Sequence, residues 1–314
     1  GGIPKRWIMV GMCFAATFIC YIDRVNISVA IIPMAEQHGW SASTKGIILS
    51  SFFIGYMAAM IPTGWLANRI GGRLLMGAAL SFWSLFTILT PLAAAISLAA
   101  LIVTRILMGA GEAAAFPAIY NLFARWLPPG ERTRAVAINF TGYAMGTVFA
   151  LSVSAGLIAR YGWESVFYAF GVAGLLFAAV WFRLVHRDPA SHPTITAAER
   201  ALLADCVKAS SHADNPIPWA RFLSSGAIWA LIINHFCSNW ALYLMLTWLP
   251  SYFRDAQKLS IANAGLFSIA PWIALFLVGN IVAWLADRQI ARGADVGRVR
   301  KVTQVTGLLG SAAF

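Results

Sequence analysis

The chain has 314 residues, of which 60% are hydrophobic and only 11% charged, with a mean hydropathy of +0.72. A soluble domain carries about a quarter charged residues, so this chain lacks the polar skin a soluble protein of its length needs and reads as an all-α polytopic membrane protein. The formal net charge of +11 does not point to nucleic acid, because the basic residues fall in short loops between apolar spans and not in one patch.

Apolar windows of about 20 residues predict helices at 7–34, 46–67, 74–94, 97–123, 135–159, 166–183, 225–250, 263–286 and from 302 onward. The first carries Cys-Tyr-Ile-Asp-Arg-Val-Asn-Ile-Ser, residues 20–28, in its middle. A charge at the bilayer centre costs at least ~2.5–3.5 kcal/mol, so Asp23 and Arg24 are expected to face a cavity or a partner. By helical arithmetic Tyr21, Arg24 and Ser28 lie within about 60° of one another, a side suited to a hydroxylated carboxylate, and Asp23 lies about 100° round, beside Asn26.

The second predicted helix carries Tyr56 and leads into Gly-Trp-Leu-Ala-Asn-Arg-Ile-Gly-Gly-Arg at 64–73. The fourth carries Arg105 and Glu112, about 20° from sharing one line and about 10.5 Å apart along it. Met108 lies between them, and Gly109 and Gly111 allow close approach of a helix or a ligand. Asp23, Arg24, Arg105 and Glu112 sum to zero charge when all are ionised. Two static ion pairs joining the helices are a weak reason for keeping four such charges, because buried pairs stabilise poorly against apolar replacements. Asn139 and Tyr143, in the fifth helix, form a polar pair four residues apart.

The longest polar stretch, 184–224, is expected to be a cytoplasmic linker. Within it Thr196 and Glu199 have the spacing of a capping box for a short amphipathic helix. It divides a six-helix bundle at 1–183 from an incomplete second bundle at 225–314. The seventh helix carries Asn239 and Tyr243 on one face, either for binding or, for the asparagine, as an interhelical hydrogen bond; His235 lies near its cytoplasmic end. Trp-Leu-Ala-Asp-Arg at 284–288 repeats Trp-Leu-Ala-Asn-Arg at 65–69, in the equivalent place of each half. Two related halves with a midplane site are the plan of a secondary transporter.

Of the 23 Lys and Arg residues, seventeen fall on the side of the N-terminus and four on the other. This bias predicts a cytoplasmic N-terminus. The four cysteines have neither paired nor metal-ligand spacing, and nothing calls for a metal or cofactor. With no nucleophile motif, phosphate loop or room for a soluble catalytic domain, no enzyme is expected. The chain begins Gly-Gly, and its last window stops at Phe314 after thirteen residues, so a longer parent protein is expected.

Residues Gly64, Asn68, Arg69, Gly71 and Arg73, with Asp287 and Arg288 in the second copy, resemble the loop motif of the major facilitator superfamily. The superfamily usually has Asp where this chain has Asn68, which weakens any ion-pair gate in the first half. The stretches 21–28, 104–118 and 234–253 resemble the anion:cation symporter branch, which includes bacterial sugar-acid and hexuronate transporters and sialin-like transporters. The resemblance implies two pseudo-symmetric six-helix bundles, a bacterial inner-membrane location and a monomer. It implies protonation at Asp23 and Glu112, a substrate anion on Arg24, and Arg105 as the partner of the acids. Tyr21, Tyr56, Asn139, Tyr143, Asn239 and Tyr243 are the further candidate substrate contacts, although some sugar-acid members carry glutamine near Tyr143.

The expected activity is symport of a small organic anion, such as a sugar acid, with protons by alternating access. A substrate carboxylate would replace an acid as the counterion of Arg24, and the displaced acid would take a proton, keeping the site neutral. The alternatives are an anion exchanger, a sodium-coupled organic-anion or phosphate transporter of the same fold, and a sensor that moves nothing.

Overall fold

A computed structural model describes residues 3–210 and 219–312. The chain divides into two compact units, 1–215 and 216–314. Every regular element among the described residues is helical. Eight helices among these residues are long and apolar enough to cross a membrane.

In the first unit, α1 (Lys5–His38), α2 (Ala42–Ile70) and α3 (Gly72–Ile96) are continuous. The fourth span is broken into α4 (Leu98–Glu112) and α5 (Ala115–Trp126). Pro117 explains the break: it has no N–H to give the carbonyl four residues earlier, and its ring clashes there. That carbonyl belongs to Ala113, and it accepts from the Thr63 hydroxyl of α2 at 3.3 Å. The helix therefore stops at Glu112, with Ala113 as its cap. The unit continues with α6 (Pro129–Tyr161), α7 (Glu164–Leu184) and the linker helix α8 (Ala197–Ser210).

Glycines set which helices meet. A methyl group on Gly142 or Gly146 of α6 would strike the α1 backbone at Phe14 or Phe18. One on Gly55 of α2 would strike Ile106 of α4, and one on Gly109 would strike Phe52 in return. One on Gly171 or Gly174 of α7 would strike Ser84 of α3. Lipid offers no hydrophobic drive for association, so such small-residue seams carry the van der Waals packing. Between these seams α1 is enclosed, and Cys20 to Ile32 is buried without interruption.

The second unit holds α9 (Trp219–Leu223), α10 (Gly226–Asp255), α11 (Ile261–Phe267), α12 (Ala270–Ala291) and α13 (Val296–Ala312). The window expected from 302 onward is the latter part of α13. Its described part has 17 residues, with Arg298, Arg300 and Lys301 near its start. The linker helix appears where Thr196 and Glu199 placed it, although 211–218 of the linker lie outside the described residues. The Thr196 hydroxyl accepts from the Glu199 amide at 3.2 Å. The Glu199 carboxylate does not complete a capping box. It instead accepts from the backbone amides of Lys5 and Arg6 at 3.1 and 3.0 Å, capping the start of α1.

Candidate functional site

The four charges predicted in the spans are all buried in the first unit. Asp23 and Glu112 are 0% exposed, Arg105 2% and Arg24 4%. Charges this deep need partners, and the two adjacent residues of α1 find theirs on opposite sides. Arg24 turns to α2 and α4. Its Nε donates to Glu112 Oε2 at 2.8 Å, and its Nη1 donates to the Tyr21 hydroxyl at 3.2 Å. The guanidinium carbon lies 4.6 Å from the centre of the Tyr21 ring, 4.7 Å from Tyr56 and 5.2 Å from Phe52, within cation–π reach of three rings. The Cys20 thiol donates to the same Glu112 oxygen at 3.4 Å. Glu112 Oε1 has no hydrogen-bond partner among the described residues.

Asp23 turns to α3, where its Oδ2 accepts from the Trp83 indole N–H at 3.1 Å. It makes no ion pair with Arg24 among the described residues, in keeping with the angle of about 100° that separates the two on the helix. The helix turns about 100° per residue, enough to send consecutive side chains to different neighbouring helices.

Arg105 departs from expectation. Among the described residues it makes no ion pair with either acid. Its guanidinium lies 5.2 Å from the Phe52 ring centre, and its Nη1 donates to the Met108 thioether at 3.1 Å. Phe52 thus sits against both guanidinium groups, and Glu112 pairs with Arg24 alone of the two. The close approach of α2 and α4 at Gly55 and Gly109 creates this arrangement.

The remaining candidates divide. Tyr56 and Tyr143 join the cluster, Tyr56 beneath Arg24 and Tyr143 edge-on to Tyr21 with ring centres 4.3 Å apart. Asn139 does not point into it; its Oδ1 accepts from the Thr17 hydroxyl at 2.8 Å, an α1–α6 hydrogen bond. The Ser28 hydroxyl is turned back onto its own helix, donating to the Val25 carbonyl at 2.7 Å. Asn239 and Tyr243 lie on α10 of the second unit, where Asn239 donates to the His235 carbonyl of its own helix at 2.8 Å.

The loop motif is structured without an ion pair at position 68. Asn68 accepts from Asn121 at 3.4 Å, and Asn121 accepts from the Gly72 amide at 2.9 Å. Gly71 has φ +85°, a backbone conformation that favours glycine. The Arg69 guanidinium lies over Trp65 at 4.4 Å, and Arg73 donates to the Phe182 carbonyl at 2.6 Å. Gly64 faces open space. Arg288 is an exposed residue of α12, and the Asp287 side chain lies outside the described residues.

Three members of the site went unnoticed in the sequence: Phe52, Trp83 and Cys20. Phe52 precedes Tyr56 by one helical turn and Cys20 precedes Arg24 by one, so both shared a face with a chosen residue. Trp83 carried the weaker signal that a buried indole N–H needs an acceptor.

Comparisons with known proteins agree with this architecture. The family model for the Major Facilitator Superfamily matches residues 13–314. The chain is 42% identical over 311 residues to the sodium-dependent phosphate transport protein 1, chloroplastic, of Arabidopsis thaliana, covering 99% of this chain and 60% of that protein. It is 39% identical over 311 residues to the chloroplastic ascorbate transporter of the same plant, covering 99% and 57%. Against sialin of Ovis aries the identity is 33% over 341 residues, covering 98% and 69%. The chain therefore spans under two thirds of the length of these plant relatives. Among solved structures, a bacterial homolog of the human lysosomal transporter Spinster, inward-facing and occupied, superposes with a TM-score of 0.72 at 18% identity, covering 91% of this chain and 62% of that one.

Proposed function

This chain belongs to the Major Facilitator Superfamily, and from that premise we propose that its first unit carries the anion and proton sites of a secondary transporter, one that moves a small organic anion together with protons by alternating access. The observation that carries this reading is the buried Arg24–Glu112 pair at 2.8 Å, set beneath three aromatic rings. A guanidinium with five donors suits a carboxylate, and an incoming substrate carboxylate competes with Glu112 for it. Once displaced, Glu112 is a desolvated acid without its counterion and takes a proton. The substrate arrives as an anion, the proton neutralises Glu112, and the buried charge is unchanged. Arg105 adds a second cation on the same side, which raises the local preference for anions. Tyr21, Tyr56 and Tyr143 supply hydroxyls for a hydroxylated substrate such as a sugar acid. The relatives named for phosphate and ascorbate support an anion as the cargo.

A sodium-coupled variant is the second reading, favoured by the relative named a sodium-dependent phosphate transport protein. We further propose that the N-terminus lies on the side of the basic loops, the cytoplasmic side in a bacterium, and that the protein acts as a monomer. The chloroplastic names of the plant relatives lend no support to a bacterial inner membrane.

The test uses the full-length protein in proteoliposomes, with labelled ascorbate, phosphate and a panel of sugar acids. An imposed proton gradient is expected to concentrate an organic anion with no sodium present. Accumulation that follows a sodium gradient alone would establish the second reading, and exchange without accumulation under either gradient would make the protein an exchanger.

A further inference from the structure

Arg24 and Glu112 meet on the α2–α4 side of α1, whereas Asp23 is held on the other side, among α3 and α7. Trp83 is 0% exposed, and its indole N–H donates to Asp23 Oδ2 at 3.1 Å. Gly174 of α7 clears the space opposite: a methyl group there would strike the Ser84 hydroxyl and lie 3.6 Å from Asp23 Oδ2. Asp23 Oδ1, both polar atoms of the Asn26 side chain and the Ser84 hydroxyl are buried without hydrogen-bond partners among the described residues. These buried polar groups surround Asp23 on the side of α1 that meets α3 and α7. The charged and titratable groups that act on Asp23 are Glu112 and Arg105 of α4 and the Cys20 thiol of α1. On this side α3 and α7 contribute Trp83, Ser84 and Gly174, which are uncharged, and α6 contributes the uncharged Tyr143 towards Tyr21.

We propose that Trp83 is a positioning residue for proton coupling: its N–H holds the Asp23 carboxylate on the α3 side of α1, so that the Asp23 proton is bound and released apart from the substrate anion on Arg24. This rests on the proton-coupled reading given above and adds to it Asp23 as a second proton-binding acid beside Glu112. An acid free to swing towards Arg24 would compete with Glu112 and substrate for it, and its proton would no longer report on the membrane gradient separately. The indole donor favours the ionised carboxylate in the position it holds.

The experiment compares Trp83→Phe, Asp23→Asn and the double variant in the full-length protein in proteoliposomes. Proton-driven accumulation, its pH profile and substrate counterflow are read for each. Trp83→Phe is expected to lower accumulation about tenfold, the scale of losing one hydrogen bond to a charged group. Counterflow and its KM should stay within about twofold of wild type, and the pH profile of accumulation should differ from that of wild type. In the Asp23→Asn background the same change is expected to add nothing. Wild-type accumulation by Trp83→Phe, equal loss of accumulation and counterflow, or an additive double variant would overturn the proposal. If Asp23→Asn alone still accumulates substrate as wild type does, Asp23 carries no coupling proton and the underlying reading of that residue fails first. Should Trp83→Phe not fold, ultraviolet resonance Raman of the wild type decides: the band of one strongly bonded indole N–H should weaken in Asp23→Asn, and an unchanged spectrum refutes the contact.

Discussion

At the residue scale, the contacts of Arg24 suit a guanidinium better than an ammonium. Its guanidinium spreads between Glu112, the Tyr21 hydroxyl and three ring faces. A lysine ammonium is a compact point charge that cannot satisfy a forked arrangement or stack on rings in the same way. Arg24→Lys in the full-length protein is therefore expected to keep the fold but raise the apparent KM for substrate about tenfold or more; an unchanged KM in proteoliposome uptake would remove Arg24 from the binding role. The charged residues were legible in the sequence because a charge in an apolar span has a cost that demands a reason. Phe52 and Trp83 were not, because an aromatic residue among apolar neighbours gives no contrast. The direction of Asp23 was also hidden: periodicity separates it from Arg24 by an angle but does not say which helix waits at that angle.

At the element scale, the break after Glu112 and the close approach of α2 to α4 put the site together, and here the sequence was only partly readable. Pro117 and the glycines of α4 were visible, but that Thr63 would take the Ala113 carbonyl depended on tertiary contact. The linker helix illustrates the same limit. Thr196 caps it as its spacing indicated, yet Glu199 is used elsewhere, because the free amides at the start of α1, with the helix dipole behind them, are strong donors to a carboxylate. Arg6 adds its guanidinium to Glu199 at 3.2 Å and also pairs with Glu131 at the start of α6 at 2.8 Å, so one cation ties three elements. Burial alone would raise the Glu199 carboxyl, but the amides of Arg6 and Lys5 and the Arg6 side chain outweigh it and hold the group below the usual carboxylate range. A depressed folded value means stability that is present above the ordinary glutamate range and lost as pH falls through the folded value. Glu199→Gln is accordingly expected to destabilise the detergent-solubilised protein by about 1–3 kcal/mol near neutral pH. In thermal unfolding followed across pH, the gap to wild type should close below about pH 4. A gap that persists unchanged into acid would show that the carboxylate charge is not what secures the contact.

At the scale of the whole molecule, composition alone settled the class, because a chain with so few charged residues has no solvent-facing skin. The repeat of Trp-Leu-Ala-Asn/Asp-Arg signalled two related halves, and the structure resolves two compact units. The chemistry concentrates in the first. The four charges in its spans balance to zero, with Glu112 paired to Arg24 and Asp23 held by the Trp83 indole. Under the proposed mechanism such a cavity would carry no bare charge across the membrane, provided that substrate and proton arrive together.

That exchange of counterions is tested most directly by accumulation of labelled substrate in proteoliposomes containing full-length wild type or Glu112→Gln, under an inward proton gradient. The neutral glutamine mimics the protonated acid, so the variant should lose uphill accumulation while retaining substrate counterflow. If Glu112→Gln concentrates substrate as wild type does, Glu112 holds Arg24 in place but carries no coupling proton, and the displacement mechanism is wrong.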